Sequence, residues 1–158
     1  MPDIFETIMH RCSIRWFAPK QIEETALEQT LQAGLYAPSA GGRQGVIFAV
    51  CQDRTMNERL SKIKRANSHP RMATATSFVS REQPSIADAL GIGSCYIGQG
   101  WTAFADPYGQ EILRQWNVPT DCYAVMQLLL GYPREGDKHP TPKPRKEGRI
   151  IRIGGAAE

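Results

Sequence analysis

Arg11, Ser13 and Arg15 alternate along one short segment of the chain. In extended backbone, side chains two apart face the same way, so this spacing converges two guanidinium groups and a hydroxyl. Forked, permanently charged donors of that kind suit a phosphate monoester. A solvated edge with Ile14, Trp16 and Phe17 packed inward would produce the same letters. A second polar group is Ala37-Pro38-Ser39-Ala40-Gly41-Gly42-Arg43-Gln44. Its small residues let backbone approach a flat ligand, and Ser39 and Gln44 can hydrogen-bond to it. Gly91-Ile92-Gly93-Ser94 offers the same permissiveness, and both stretches also read as ordinary connections. Lys143-Pro144-Arg145 adds a basic candidate near the C-terminus.

Other chemistries lack their residues. Gly91-x-Gly93 begins like a dinucleotide fingerprint, but Tyr96 stands where the third glycine belongs. There is no Walker-type lysine loop, and no Ser or Cys motif points to a base. His10, His69 and His139 show no metal-ligand spacing, so no metal is expected. Cys12, Cys51, Cys95 and Cys122 are far apart and form no C-x-x-C pair; they read as reduced, small apolar residues.

The elements that must position these groups fit one domain. The 158 residues, 41% hydrophobic and 22% charged, have a globular composition. No apolar run approaches the roughly 20 residues of a membrane span; the longest, Tyr123–Gly131, contains Gln127. The N-terminus lacks the pattern of a signal peptide, so a cytoplasmic protein is expected. Residues 1–133 balance 12 basic against 12 acidic side chains, and the net +3 resides in residues 134–158. That stretch reads as an extended C-terminal tail on a single domain spanning 1–158. A nucleic-acid module is disfavoured because no aromatic stacking pattern accompanies the basic residues.

Helices are expected over Phe5–His10, from after Pro19 to Tyr36-Ala37, from a Thr55-x-x-Glu58 capping box to about Lys64, over Ser85–Leu90, and over Tyr108–Trp116. Val46–Val50 reads as a buried strand, Ser77-Phe78-Val79 as a weaker one, and Cys95-Tyr96-Ile97, Ala124–Leu130 and Ile150–Ile153 as further strands, with Ala124–Leu130 central. Gly91–Ser94 is expected to be a loop. The pattern predicts an α/β or α+β domain with a mixed sheet.

Taken together, four ordered segments resemble the FMN-dependent nitroreductase family. They are Ile4–Ile8 running into Arg11-x-Ser13-Ile14-Arg15-x-Phe17, Ala37-Pro38-Ser39-Ala40-Gly41-x-Arg43-Gln44, Leu90–Gly98 and Leu130-Gly131-Tyr132-Pro133; Pro142–Lys146 fits the closing basic segment. The resemblance implies an α+β fold with a mixed, mainly antiparallel central sheet flanked by helices, and a homodimer with noncovalent FMN at its interface. It implies that Arg11, Ser13 and Arg15, with the Cys12 backbone, hold the phosphate and ribityl chain, and that Lys143 and Arg145 reach the same phosphate. Pro38, Ser39 and Ala40 would contact the flavin edge from the partner subunit, with Gln44 in the same loop. Ile92, Gly93 and Ser94 would lie beside the reactive ring, with a backbone N–H toward N5, and Asn67 on the pyrimidine side.

The implied activity is hydride transfer from NAD(P)H through FMN to nitroaromatic, quinone or similar electron-poor acceptors by a ping-pong mechanism, with no catalytic side chain assigned. Gly42 and Gly45-Val46 depart from the family pattern, removing one polar contact. Ala89 also joins Leu90 directly, where the resemblance implies a long apolar helix. Either the chain is a compact member or a segment is absent from it, the second being favoured. The alternative function is a non-catalytic flavin-binding or interaction homologue that has lost part of the core.

Overall fold

The computed structural model describes residues 3–63, 75–77, 83–98 and 101–149. Helix α1 (Ile4–His10) begins at Asp3, whose carboxylate accepts from the Phe5 N–H at 3.2 Å. Helix α2 (Glu24–Leu35) carries Leu27 and Thr30 inward, and it stops before Pro38 and the Ala40–Gly42 turn. Helix α3 (Arg54–Ile63) is capped by Asp53, whose carboxylate takes the Met56 N–H at 2.6 Å. The expected Thr55-x-x-Glu58 box does not form; Glu58 instead pairs with Arg54 at 3.3 Å. Asp53 precedes Thr55 and reaches the same unsatisfied amides first, so it takes the cap.

Strand β1 (Ala75–Ser77) and helix α4 (Gln83–Ala89) come next, then strand β2 (Gly93–Ile97). Short helix α5 (Thr102–Ala105), which the sequence pattern did not reveal, precedes α6 (Pro107–Gln115). Asp106 caps α6 by accepting from the Gly109 N–H at 2.8 Å, with Pro107 opening the first turn. Strand β3 (Gln127–Gly131) is central in an antiparallel sheet of order β1-β3-β2. An isolated parallel bridge, Ser13 to Ser94, makes the pairing mixed. The expected α+β architecture and central strand are therefore observed.

Three expectations change. Val46–Val50 is irregular backbone rather than a buried strand, and Val46, Ile47 and Val50 are exposed. Its β-branched run marks a surface that wants covering, but periodicity cannot name the strand that would pair with it. Gly93 and Ser94 belong to β2, because the preceding turn is completed earlier, at Leu90-Gly91. The Ser77–Val79 candidate is met by β1 only at Ser77; Phe78 and Val79, like Ile150–Ile153, lie outside the described residues.

The link from α4 to β2 is itself a closed unit. The Ile92 N–H donates to the Ala87 carbonyl at 2.8 Å and the Gly91 N–H to that of Asp88 at 2.9 Å, with Gly91 left-handed. This double bond pattern is a Schellman helix stop, and Ile92 packs in the same cluster as Ala87. It passes the chain directly from helix to strand.

One sheet face carries Leu128 and Leu130 against Ile22, Leu27, Ala87 and Ile92, burying α2 and α4. The other carries Cys95 and Leu129 against Ile14 and Phe17 of the N-terminal segment. Leu60, Phe104, Ile112 and Leu113 form a separate cluster joining α3, α5 and α6.

The N-terminal segment fits because two glycines face each other across β2 and β3. A Cβ on Gly93 would lie 2.9 Å from the Ile14 Cβ, and one on Gly131 would lie 2.7 Å from the Phe17 ring. Both anchors are buried, so neither can step aside freely. Gly93→Ala and Gly131→Ala are each expected to cost about 1–3 kcal/mol through overpacking, read as a lowered melting temperature. An unchanged melting temperature would show that the anchors yield.

Candidate functional site

The segment Arg11–Phe17 leaves α1 and crosses the sheet. The Ile14 N–H donates to the Ser94 carbonyl at 2.8 Å, and Ser13 pairs with Ser94. Ile14 and Phe17 point into the core, while Arg11 and Ser13 are half-buried and Arg15 is exposed. Arg15, Ser13 and Arg11 all act on one buried group, the Cys95 thiol.

From sequence Cys95 reads only as a small apolar residue. Burial pushes its thiol above the ordinary range, outweighing the Arg15 charge, the Ser13 hydrogen bond and the Arg11 charge, which all favour thiolate. The thiol therefore stays neutral and donates no negative charge to the strip. Alternation along β2 could have revealed it, since Cys95 shares a face with Gly93. Among the described residues neither Arg11 nor Arg15 is in an ion pair.

The tail comes back to the same strip. The Ala18 N–H donates to the Tyr132 carbonyl at 2.8 Å, Phe17 bridges to Pro133, and the Arg134 N–H donates to the Trp16 carbonyl at 3.1 Å. The Arg134 guanidinium lies 5.9 Å from the Trp16 ring centre and grips Asp137 in a fork at 2.6 and 2.7 Å. The Cys12 thiol then donates to the Pro140 carbonyl at 2.8 Å. The tail thus runs antiparallel from Ala18 toward Arg11, and it continues into exposed Lys143 and Arg145.

The remaining predicted residues are placed differently. Ile92, Gly93 and Ser94 are buried, and the Ile92 N–H is spent on Ala87. They back the strip rather than line its open side. Pro38 and Ala40 are exposed and Ser39 is half-buried. The Ser39 hydroxyl accepts from the Gln44 N–H at 2.9 Å, and Gln44 has a positive φ of 47°. Hydrogen bonds shaping that loop are internal, and among the described residues none ties it to Arg11–Arg15. Asn67 lies outside the described residues. A cavity of about 320 Å³ between Gly45–Ala49 and Val118–Val125 is lined by Val46, Ile47, Leu113 and Tyr123, and by none of the strip.

The α+β scaffold has known relatives. The nitroreductase family model matches residues 8–84, which contain both the Arg11–Arg15 strip and the Pro38–Gln44 loop. An Archaeoglobus fulgidus protein named for NADH dehydrogenase/NAD(P)H nitroreductase activity is 26% identical, the alignment covering 85% of this chain and 88% of that one. A crystal structure of a Bacteroides fragilis nitroreductase with bound FMN superposes with a TM-score of 0.84 at 25% identity, over 97% of this chain and 100% of that chain. A Desulfitobacterium hafniense nitroreductase, also crystallised with bound FMN, shares the fold with a TM-score of 0.80 at 16% identity, over 97% and 99% of the two chains. The fold is thus the nitroreductase fold. In sequence motifs, in the family model over residues 8–84 and in architecture, the chain is similar to nitroreductase-family proteins.

The position of Cys95 has a measurable consequence. Because burial raises its pKa, as it does that of Cys51, both thiols are mainly protonated at pH 7.5 and screened from reagent. Ellman's reagent is expected to label them slowly in the native protein and rapidly after unfolding in guanidinium. Equal rates in the two states would contradict this placement.

Proposed function

We propose that the chain is an FMN-dependent NAD(P)H oxidoreductase acting on nitroaromatic, quinone or similar electron-poor acceptors. The observation that carries this reading is the Arg11–Arg15 segment bridged to β2 at Ser13 and Ser94, whose two guanidinium groups are in no ion pair among the described residues. That donor set fits one terminal phosphate: forked N–H groups match its oxygens, and the charge opposes its own. No pyrophosphate-binding glycine motif accompanies it. When bound, FMN supplies hydride uptake at N5 and hydride return to an acceptor, a ping-pong sequence in one pocket.

The protein's part is to bind and orient. Arg11, Ser13, Arg15 and the Cys12 backbone hold the phosphate and ribityl chain, with Lys143 and Arg145 closing over the same phosphate. Ile92, Gly93 and Ser94 form the rigid backbone next to the ring. Pro38, Ser39, Ala40 and Gln44 meet the flavin edge of a partner subunit. Two observations support a homodimer. Among the described residues no hydrogen bond ties the Pro38–Gln44 loop to its own chain's strip, and Leu35, Tyr36, Val46 and Ile47 around it are exposed. A monomer on this reading holds half a pocket. Among the described residues no helix is long and apolar enough to cross a membrane.

Mass spectrometry of the flavin released by heat is expected to show FMN, and NADH or NADPH should bleach the yellow protein; FAD, or a colour no nicotinamide bleaches, would refute the assignment. Replacing Arg11 or Arg15 with Ala should weaken FMN binding by about 1.5–3 kcal/mol, the worth of one charge-assisted hydrogen bond. That loss should appear in flavin-fluorescence titration, with less effect on the apo melting temperature. Sedimentation at micromolar concentration should give a flavin-loaded dimer, and a flavin-loaded monomer would exclude the shared site.

A further inference from the structure

We propose that Cys12 is a positioning residue whose thiol, by holding the Pro140 carbonyl, aims the basic arm carrying Lys143 and Arg145 at the phosphate strip. The inference rests on the FMN reading above and concerns how this chain builds the closing half of that site. Cys12 sits between Arg11 and Ser13, and its side chain, unlike theirs, turns to the tail.

The contacts along the strap come in sequence. Tyr132, Pro133 and Arg134 pair with Ala18, Phe17 and Trp16, and Arg134 is fixed by Asp137 and by the Trp16 ring. His139 adds a hydrogen bond of 2.8 Å between its Nε2 and the Arg134 carbonyl, folding the strap on itself. The Cys12–Pro140 bond follows, and Lys143 and Arg145 beyond it are in no ion pair among the described residues.

What carries orientation past that tie is proline. Pro140, Pro142 and Pro144 alternate through the arm, and residues 141–146 have neither helix nor strand. Proline-rich chain is extended and semi-rigid at about 3.1 Å per residue. Lys143 therefore stands about 9 Å beyond Pro140, on a stiff arm whose direction is set at its root. Without the tie, the arm would pivot from Arg134 and His139, and its two cations would spread over a wider volume. The charge would remain in the chain but leave the phosphate.

The test compares the full-length wild-type chain with Cys12→Ala, Cys12→Ser and Cys12→Val. Valine fills the thiol's space without a donor, and serine restores a donor, so lost packing cannot mimic a lost bond. In the apo protein, trypsin should cut after Lys138 about three- to tenfold faster in the Ala and Val variants, the factor expected from one hydrogen bond, and near the wild-type rate in Ser. Fluorescence titration should show FMN binding weakened by a similar factor in Ala and Val. Riboflavin, which lacks the phosphate, should bind these variants as it binds the wild type. Unchanged cleavage in both Ala and Val, or equal losses for FMN and riboflavin, would overturn the positioning role. A wild-type chain that bound neither flavin would overturn the FMN reading itself, an outcome recognisable without any variant.

Discussion

The close approach of the N-terminal segment to the sheet is the constraint on which the rest depends. It exists because Gly93 and Gly131 are paired across β2 and β3, leaving a shallow seat with no side chain in it. Ile14 and Phe17 fill that seat, so the residues between and before them are fixed in register against β2. Ser13 and Arg15 then have only one side left to face. A cationic strip placed this way is held by buried hydrocarbon, and its charges need no carboxylate partners to keep their positions. Such pairing would stabilise the strip but also occupy the donors a ligand needs.

The same seat organises the tail. Because Phe17 is pinned, Tyr132 to Arg134 can pair with its neighbours, and the chain leaving β3 is turned back along the strip. Sheet, N-terminal segment and tail therefore form one coupled unit built around a few buried side chains. The α3–α5–α6 cluster packs separately. The Schellman stop at Gly91 couples the two faces of the sheet, since Ile92 enters one core just before Gly93 opens the seat for the other.

Exposed apolar surface is distributed unevenly. Ile4, Phe5, Ile8 and Met9 leave one face of α1 in water, and Leu35, Tyr36, Val46 and Ile47 do so around the second polar loop. Contiguous exposed apolar patches of this kind mark interaction surfaces or ligand grooves. The second patch adjoins the Pro38–Gln44 loop, which among the described residues shares no hydrogen bond with the strip.

The helices were legible from the letters where apolar spacing was regular, as in α2 and α6, and β3 was legible because its leucines are buried on both faces. The alternation of Arg11, Ser13 and Arg15 was legible because it depends only on extended backbone. Other features were decided by partners distant in sequence. Val46–Val50 has strand-forming residues but is irregular backbone, and pairing is a property of two segments. Cys12 and Cys95 look alike in the sequence; one meets a carbonyl 128 residues away, while the other is buried with Ile14, Phe17 and Leu129. Sequence alone determined the residue types, their local periodicity and the family motifs, because those rest on interactions within a few residues. Tertiary structure alone decided which glycine faced which anchor, and which thiol met which group, because those contacts exist only after the sheet has assembled.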